Sequence, residues 1–264
     1  MRVAAVQCHA VFDDAPRAGE VVARWLRWAA VEEVDLLVFP EAFLLGHSYD
    51  PATIRSRAVD ATATALPALC RRIAPFATTV VIGAFHVDDG RVFNSAFVIR
   101  DGVIAGRYAK AHPNEPGVTP GTDCPTFLVS GVRYGINICN DANHPDAAAR
   151  VARQDSDLIL YSLGNRLKPA VARRWREKSL ANLVDRARQT GCWIVSSDVT
   201  GASDGLVSFG CTAIVAPDGQ VVARVPDLHE GVVVHDVPAR RAERKAGGPH
   251  GPPPPAGDQP MLTP

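Results

Sequence analysis

The sequence predicts a layered α/β or α+β domain, and three observations carry that prediction. Short apolar, β-branched runs alternate with longer stretches of helical period from the first residues to about residue 234. Several of the runs are apolar without alternation, as in strands covered on both faces. An internal echo adds to this: RVAAVQ, a helix and VDLLVFPE are followed later by RYGINIC, a helix and SDLILYSLG. The echo describes two strand–helix–strand units of shared generic chemistry.

The elements follow in order. Residues 3–6, 34–39, 79–85, 93–99, 134–138, 158–161, 193–196, 212–215 and 232–234 read as strands. VFNSAFVIRDGVIAGRY has the form of a hairpin that ends shortly before Lys110. Residues 16–31 carry Val21, Val22, Trp25, Leu26, Trp28 and Ala29 at helical spacing, with Asp14 as N-cap and Pro16 in the first turn. Residues 147–153 and 171–190 are further helices, the second ending before Gly191 as C-cap. The last 18 residues, 247–264, hold 7 prolines and 4 glycines, a composition that refuses regular structure. The expected organisation is one domain over 1–240 and a flexible Pro/Gly-rich tail over 241–264.

Composition removes several function classes. The 264 residues include 28 basic and 28 acidic side chains, so nothing electrostatic points to nucleic acid or an anionic membrane as partner. A 47% hydrophobic, 21% charged chain is ordinary globular usage rather than disorder. The opening MRVAAVQCHAVFDD is too briefly apolar for a secretory signal, and no run approaches the ~20 apolar residues of a membrane span. Six irregularly spaced cysteines, with no CxxC and no HxxxH, suggest neither a disulfide framework nor a structural zinc site. Reduced thiols in the cytoplasm are the expectation.

Three stretches end an apolar strand with a reactive side chain: Glu41 in VFPEAF, Lys110 in RYAKAHP and Cys139 in YGINICNDANHPD. Pro40 cannot donate to a ladder, so Glu41 begins a loop at a strand's carboxyl end, where many sheet proteins place ligands. Taken singly, a loop Glu, a surface Lys and a core Cys explain them equally well. Their order and surrounding words carry more.

Together they resemble the nitrilase superfamily of carbon–nitrogen hydrolases, whose catalytic residues are Glu, Lys and Cys in that order. VFPE resembles the family's Glu motif, YAKAHP its Lys motif and GINICNDANHP its Cys motif. FNSAFVI and SFGCTAIVAPDG match further family stretches, so the likeness covers nearly everything before the tail. The resemblance implies a four-layer α-β-β-α sandwich that forms homodimers or larger homo-oligomers. It implies hydrolysis of a small amide, ω-amide or N-carbamoyl compound through a thioester on Cys139, with no metal and no cofactor. It also implies a second carboxylate, for which Glu115 in KAHPNEPGVTPG stands closer to the Lys than is common in the family.

In that scheme Cys139 attacks as its thiolate, although a free thiol ionises only near pH 8.5, to judge by a pKa of about that value. Glu41 accepts the thiol proton. The Lys110 ammonium and the Asn140 backbone N–H face the developing oxyanion. Asn165, after a strand, Phe43 and His47, after the Glu motif, and Arg166, suited to a substrate carboxylate, are candidate substrate contacts; each reads as structural just as well, and only Asn165 is taken forward as a pocket residue. A nitrile substrate is the alternative within the same chemistry. A non-catalytic binding protein on the same scaffold, or a metal hydrolase using His112 and His144, are rivals from other classes, the latter lacking ligand spacing.

Overall fold

The computed structural model describes residues 1–239; the expected tail over 241–264 lies outside them. Two sheets lie face to face, each with helices on its outer side. The chain runs β1 (Arg2–His9), α1 (Ala15–Val31), β2 (Leu36–Val38), α2 (Pro51–Asp60), α3 (Leu66–Ile73), β3 (Thr79–Asp88), β4 (Arg91–Arg100) and β5 (Val103–Ala109). It continues through β6 (Thr126–Val129), β7 (Val132–Ile138), α4 (Pro145–Ala152), β8 (Leu158–Ser162), α5 (Pro169–Thr190) and β9 (Trp193–Ser197). The last strands are β10 (Val199–Ser203), β11 (Leu206–Ser208), β12 (Ala213–Val215), β13 (Val221–Arg224) and β14 (Gly231–Asp236).

The first sheet is ordered β11-β10-β1-β2-β3-β4-β5 with β14 also on β1, and the second β13-β12-β9-β8-β7-β6. The central strands β1, β2 and β3 are parallel, as are β7, β8 and β9. Their apolar runs lack alternation because both faces are covered. Ala4, Val6 and Leu37 pack with Val22 and Leu26 of α1, while Val3, Ala5, Leu36 and Val38 meet Tyr134, Ile136, Leu158 and Leu160 between the sheets. Ile159 and Ile194 turn outward to Leu183 and Ala187 of α5. This is the four-layer α-β-β-α sandwich.

Local signals act as the sequence indicates. Asp14 accepts the Arg17 N–H at 2.9 Å as N-cap of α1, and Gly191 closes α5 with φ +62°. The internal echo reaches individual hydrogen bonds. Asp35 before β2 accepts the Arg2 N–H at 2.6 Å, and Asp157 before β8 accepts the Arg133 N–H at 2.8 Å. The two strand–helix–strand units are thus matched halves, one per sheet.

The region 51–73 carries no clear sequence period, yet it forms α2, a π-helical turn over Ala61–Ala65 and α3. The wide turn shifts the apolar stripe by one residue, which blurs the 3.6 period. The strands β6, β10, β11 and β13 are three to five residues long and mostly half-exposed, so they carry little apolar pattern. All six cysteines are free. No helix among the described residues is long and apolar enough to cross a membrane.

At the carboxyl ends of the parallel strands, polar bonds replace apolar packing between the sheets. The Ser162 hydroxyl donates to Phe39 O at 3.1 Å, the Ser197 hydroxyl to Val6 O at 2.6 Å, and the Glu41 N–H to Leu163 O at 3.0 Å. Loops from both sheets meet along this seam.

Candidate active site

Glu41 leaves the first sheet just after β2, and Cys139 leaves the second just after β7. Lys110 follows β5, fixed by its own N–H to Asn94 O at 2.9 Å and by the Gly121 N–H on its carbonyl at 2.8 Å. The Lys110 ammonium lies 2.7 Å from Oε1 of Glu41 and 2.7 Å from Oε1 of Glu115. All three side chains are essentially excluded from solvent, at 0–1% exposure. The Asn94 amide binds the same two oxygens, Glu41 Oε1 at 2.8 Å and Glu115 Oε1 at 2.9 Å. His47 Nε2 completes Glu115 at 2.9 Å. An ionised carboxylate only accepts, so His47 carries its proton on Nε2 there.

Burial works against charge on Lys110, but Glu41, Cys139 and Glu115 outweigh it and hold the ammonium more firmly protonated than usual. Burial likewise opposes charge on Glu115, and the His47 and Lys110 contacts overcome it, keeping this carboxyl well below its ordinary range. The one ammonium is thus shared between two buried carboxyl groups. Glu41 Oε2 is buried and has no hydrogen-bond partner among the described residues. It lies against Gly164, where an added Cβ would stand 2.7 Å from it.

Cys139 opens a short 3₁₀ turn, Cys139–Asn143, with φ +40°, a left-handed conformation rare for a side chain with a Cβ. Asp141 holds that turn. Its Oδ2 accepts the Ile138 N–H at 2.9 Å and the Tyr108 hydroxyl at 2.8 Å, and its Oδ1 accepts the His112 N–H at 2.9 Å. Because Tyr108 and His112 flank Lys110, this one carboxyl ties the cysteine turn to the lysine segment. Burial pushes the Cys139 thiol well up; Glu41 adds to the rise, while Lys110 and a hydrogen bond from the Gly164 N–H oppose it. The sulfur is therefore a thiol at rest and needs a base.

Of the residues selected from sequence, Glu41, Lys110 and Glu115 form one cluster, and Cys139 shares Gly164 with Glu41. Asn140 turns its side chain to the His112 carbonyl at 2.9 Å. Asn165 gives both its N–H, at 3.0 Å, and its side-chain amide, at 2.9 Å, to Asp198, and lines a small hollow with Cys139 and Leu163. Burial lifts the Asp198 carboxyl to about 6 against the pull of the Asn165 bonds. Asn94 and Asp141 were not singled out by sequence reasoning, and His47 was named beside the Glu motif without its contact to Glu115. For Asp141 the signal lay in its place two residues after Cys139; for Asn94 and His47 only the fold reveals the contact.

A cavity of about 200 Å³ opens over Glu41, lined by Phe12, Phe43, His47, Tyr49, Gly164 and Arg166. Its walls are mainly apolar. Arg166 stands 4.7 Å from the Phe12 ring and is already engaged by Asp204. The 163–165 strap borders both this cavity and the hollow at Cys139.

The description "carbon-nitrogen hydrolase" belongs to a family model that matches residues 2–246. An (R)-stereoselective amidase of Pseudomonas sp is 30% identical over 194 residues, covering 72% of this chain and 68% of that protein. The glutamine-dependent NAD(+) synthetase of Rhodobacter capsulatus is 25% identical over 239 residues, 88% of this chain but 42% of the synthetase, so the chain spans less than half of that relative. Among solved structures, an amidase from Nesterenkonia sp. superposes with a TM-score of 0.80 at 20% identity, over 93% of this chain and 95% of that one. A structure of a Glu-to-Gln mutant of the amidase from Nesterenkonia sp. AN1 shows acrylamide joined by Michael addition to its active-site cysteine, with a TM-score of 0.77 at 21% identity over 93% and 98% of the two chains.

Proposed function

We propose, since this chain belongs to the carbon–nitrogen hydrolase family, that it hydrolyses the C–N bond of a small amide, ω-amide or N-carbamoyl compound through a thioester on Cys139. One observation carries the reading. A buried Glu41 oxygen without a partner and a raised thiol both lie against Gly164, beside an ammonium whose charge two carboxylates secure.

Glu41 takes the thiol proton as sulfur attacks the carbonyl carbon. The carbonyl oxygen becomes negative and faces the Lys110 ammonium and the Asn140 backbone N–H. Collapse breaks the C–N bond, and the leaving nitrogen departs as ammonia or an amine with the proton from Glu41. Water then attacks the thioester, giving its proton to Glu41, and the acid and the thiol are restored. Glu115 keeps Lys110 charged and in place throughout. Carbonyl polarisation thus falls to Lys110 and the Asn140 N–H, and proton transfer to Glu41. The amidase relatives and the reactive cysteine of the Nesterenkonia amidase support this chemistry.

Glutamine-dependent relatives favour an ω-amide as one arm of the substrate screen. The test is ammonia release from a panel of aliphatic amides, ω-amides, N-carbamoyl amino acids and nitriles, with wild type and Cys139→Ala. Release from an amide or carbamoyl compound that vanishes in Cys139→Ala supports the reading. Turnover retained by Cys139→Ala overturns it, and direct conversion of a nitrile alone moves the substrate class.

A further inference from the structure

His112 and His144 are 32 positions apart and offer no ligand spacing in the sequence, yet the fold sets them side by side with Asp146. One ligand atom from each of the three lies within 4.8 Å of the others. The imidazole rings are face to face, with centroids 3.9 Å apart and planes 7° from parallel. His112 ends the lysine segment, and its backbone is fixed at both polar atoms: Asp141 takes its N–H and Asn140 donates to its carbonyl, each at 2.9 Å. His144 precedes α4, and Asp146 sits in that helix's first turn.

Neither imidazole has a close partner at Nε2. His112 Nε2 stands 3.3 Å from Asp146 Oδ2, and His144 Nε2 has only the Asn140 amide, at 3.5 Å. A separation of 3.3 Å is long for a charge-assisted hydrogen bond, which runs to about 2.7–2.9 Å. It matches the edge between two ligands of a tetrahedral zinc ion, about 3.3–3.4 Å for bonds of about 2.0–2.1 Å. Bringing the third donor to the same centre means unstacking the partly exposed His144 ring from His112, because imidazole lone pairs lie in the ring planes and those of parallel rings do not converge. Two neutral imidazoles and one carboxylate suit a borderline divalent cation, zinc foremost with copper and nickel as competitors. The exposed side of Asp146 gives such an ion a way in and leaves a fourth position to water.

We propose that His112, His144 and Asp146 form a zinc-class cation site that restrains hydrolysis by clamping the lysine segment to the cysteine turn. Asn140 is the coupling element: it bonds the His112 carbonyl, lies beside His144, and directly follows Cys139. Drawing His144 onto the ion takes it from Asn140 and fixes the turn that has to carry the oxyanion donor. The ion takes no part in bond making. Binding stands on this geometry alone, while the effect on turnover rests on the hydrolase reading above.

The experiment is calorimetric titration of zinc chloride into the full-length Cys139→Ser protein, which removes the thiol as a competing ligand. One equivalent is expected, with His144→Gln and Asp146→Asn each weakening binding by about tenfold or more. Asp146 is exposed, so Asp146→Asn keeps the test valid if His144→Gln fails to fold. In wild type, zinc lowers the rate and a chelator restores it; in Asp146→Asn, measured against its own zinc-free rate, the same zinc has a smaller effect. Zinc binding unchanged by either substitution overturns the site. Binding that leaves turnover untouched overturns the restraint, and absence of any amidase activity with intact zinc binding sinks the hydrolase reading while the site stands.

Discussion

Gly164 leaves the space that Glu41 occupies: a Cβ at residue 164 would stand 2.7 Å from Glu41 Oε2 and 3.4 Å from its Cβ. Gly164→Ala therefore pushes the proposed base out of line with the sulfur. We expect kcat to fall by about 10²-fold, the scale of an ångström's misplacement, with the overpacking costing about 1–3 kcal/mol of stability. Steady-state kinetics beside a thermal melt check this, and a variant with parental kcat would deny Glu41 a positional role.

Lys110 bonds two buried carboxyl groups at once. Lys110→Met leaves them facing each other without a counterion, which should cost about 3–5 kcal/mol. Urea denaturation reads the loss as a lower midpoint. Adding Glu115→Gln to Lys110→Met removes one of the stranded charges and should recover part of it; strictly additive losses would show that the three groups do not act as a unit.

Glu41→Gln separates two roles of one residue. Glu41 raises the thiol, so its removal lowers the Cys139 pKa, while the proposed proton acceptor is gone. Alkylation of Cys139 by iodoacetamide, followed by intact mass, should persist, and amide hydrolysis should drop by about 10²-fold or more. Loss of both together would contradict this division.

Asp198 gives a pH signature. Its folded carboxyl titrates near 6 against an ordinary 3.8, with burial as the cause. Between those values the folded chain holds a proton that the unfolded chain has released. Its contribution to stability therefore rises as pH falls through this window and is absent above it. Relative to Asp198→Asn, wild type should gain about 3 kcal/mol at most between pH 7 and pH 4, measured as the difference in unfolding free energy. A flat difference would show that Asp198 stays ionised.

Much of this was legible in the sequence because the signals were local. Unalternating apolar runs marked the doubly covered strands, Asp14 and Gly191 marked helix ends, and the three reactive residues each closed a strand. The repeated Asp before β2 and β8 was visible as an echo, although its matched bonds to Arg2 and Arg133 were not. What escaped depends on contacts between distant segments. Asn94 joins Glu41 to Glu115 from the middle of β4, where it reads as one polar residue in a buried strand. His47 reaches Glu115 across 68 positions. Ligand-spacing rules, tuned to neighbours on one helix or hairpin, pass over His112 and His144 for the same reason.

Under the proposed mechanism, the bonds from Glu41 to Leu163, Ser162 to Phe39 and Ser197 to Val6 make catalysis a vernier on how the two halves of the sandwich align. A slip of about an ångström between them would silence turnover while every helix and ladder survives. On gradual denaturation, the enzyme should thus go dark ahead of its far-ultraviolet dichroism.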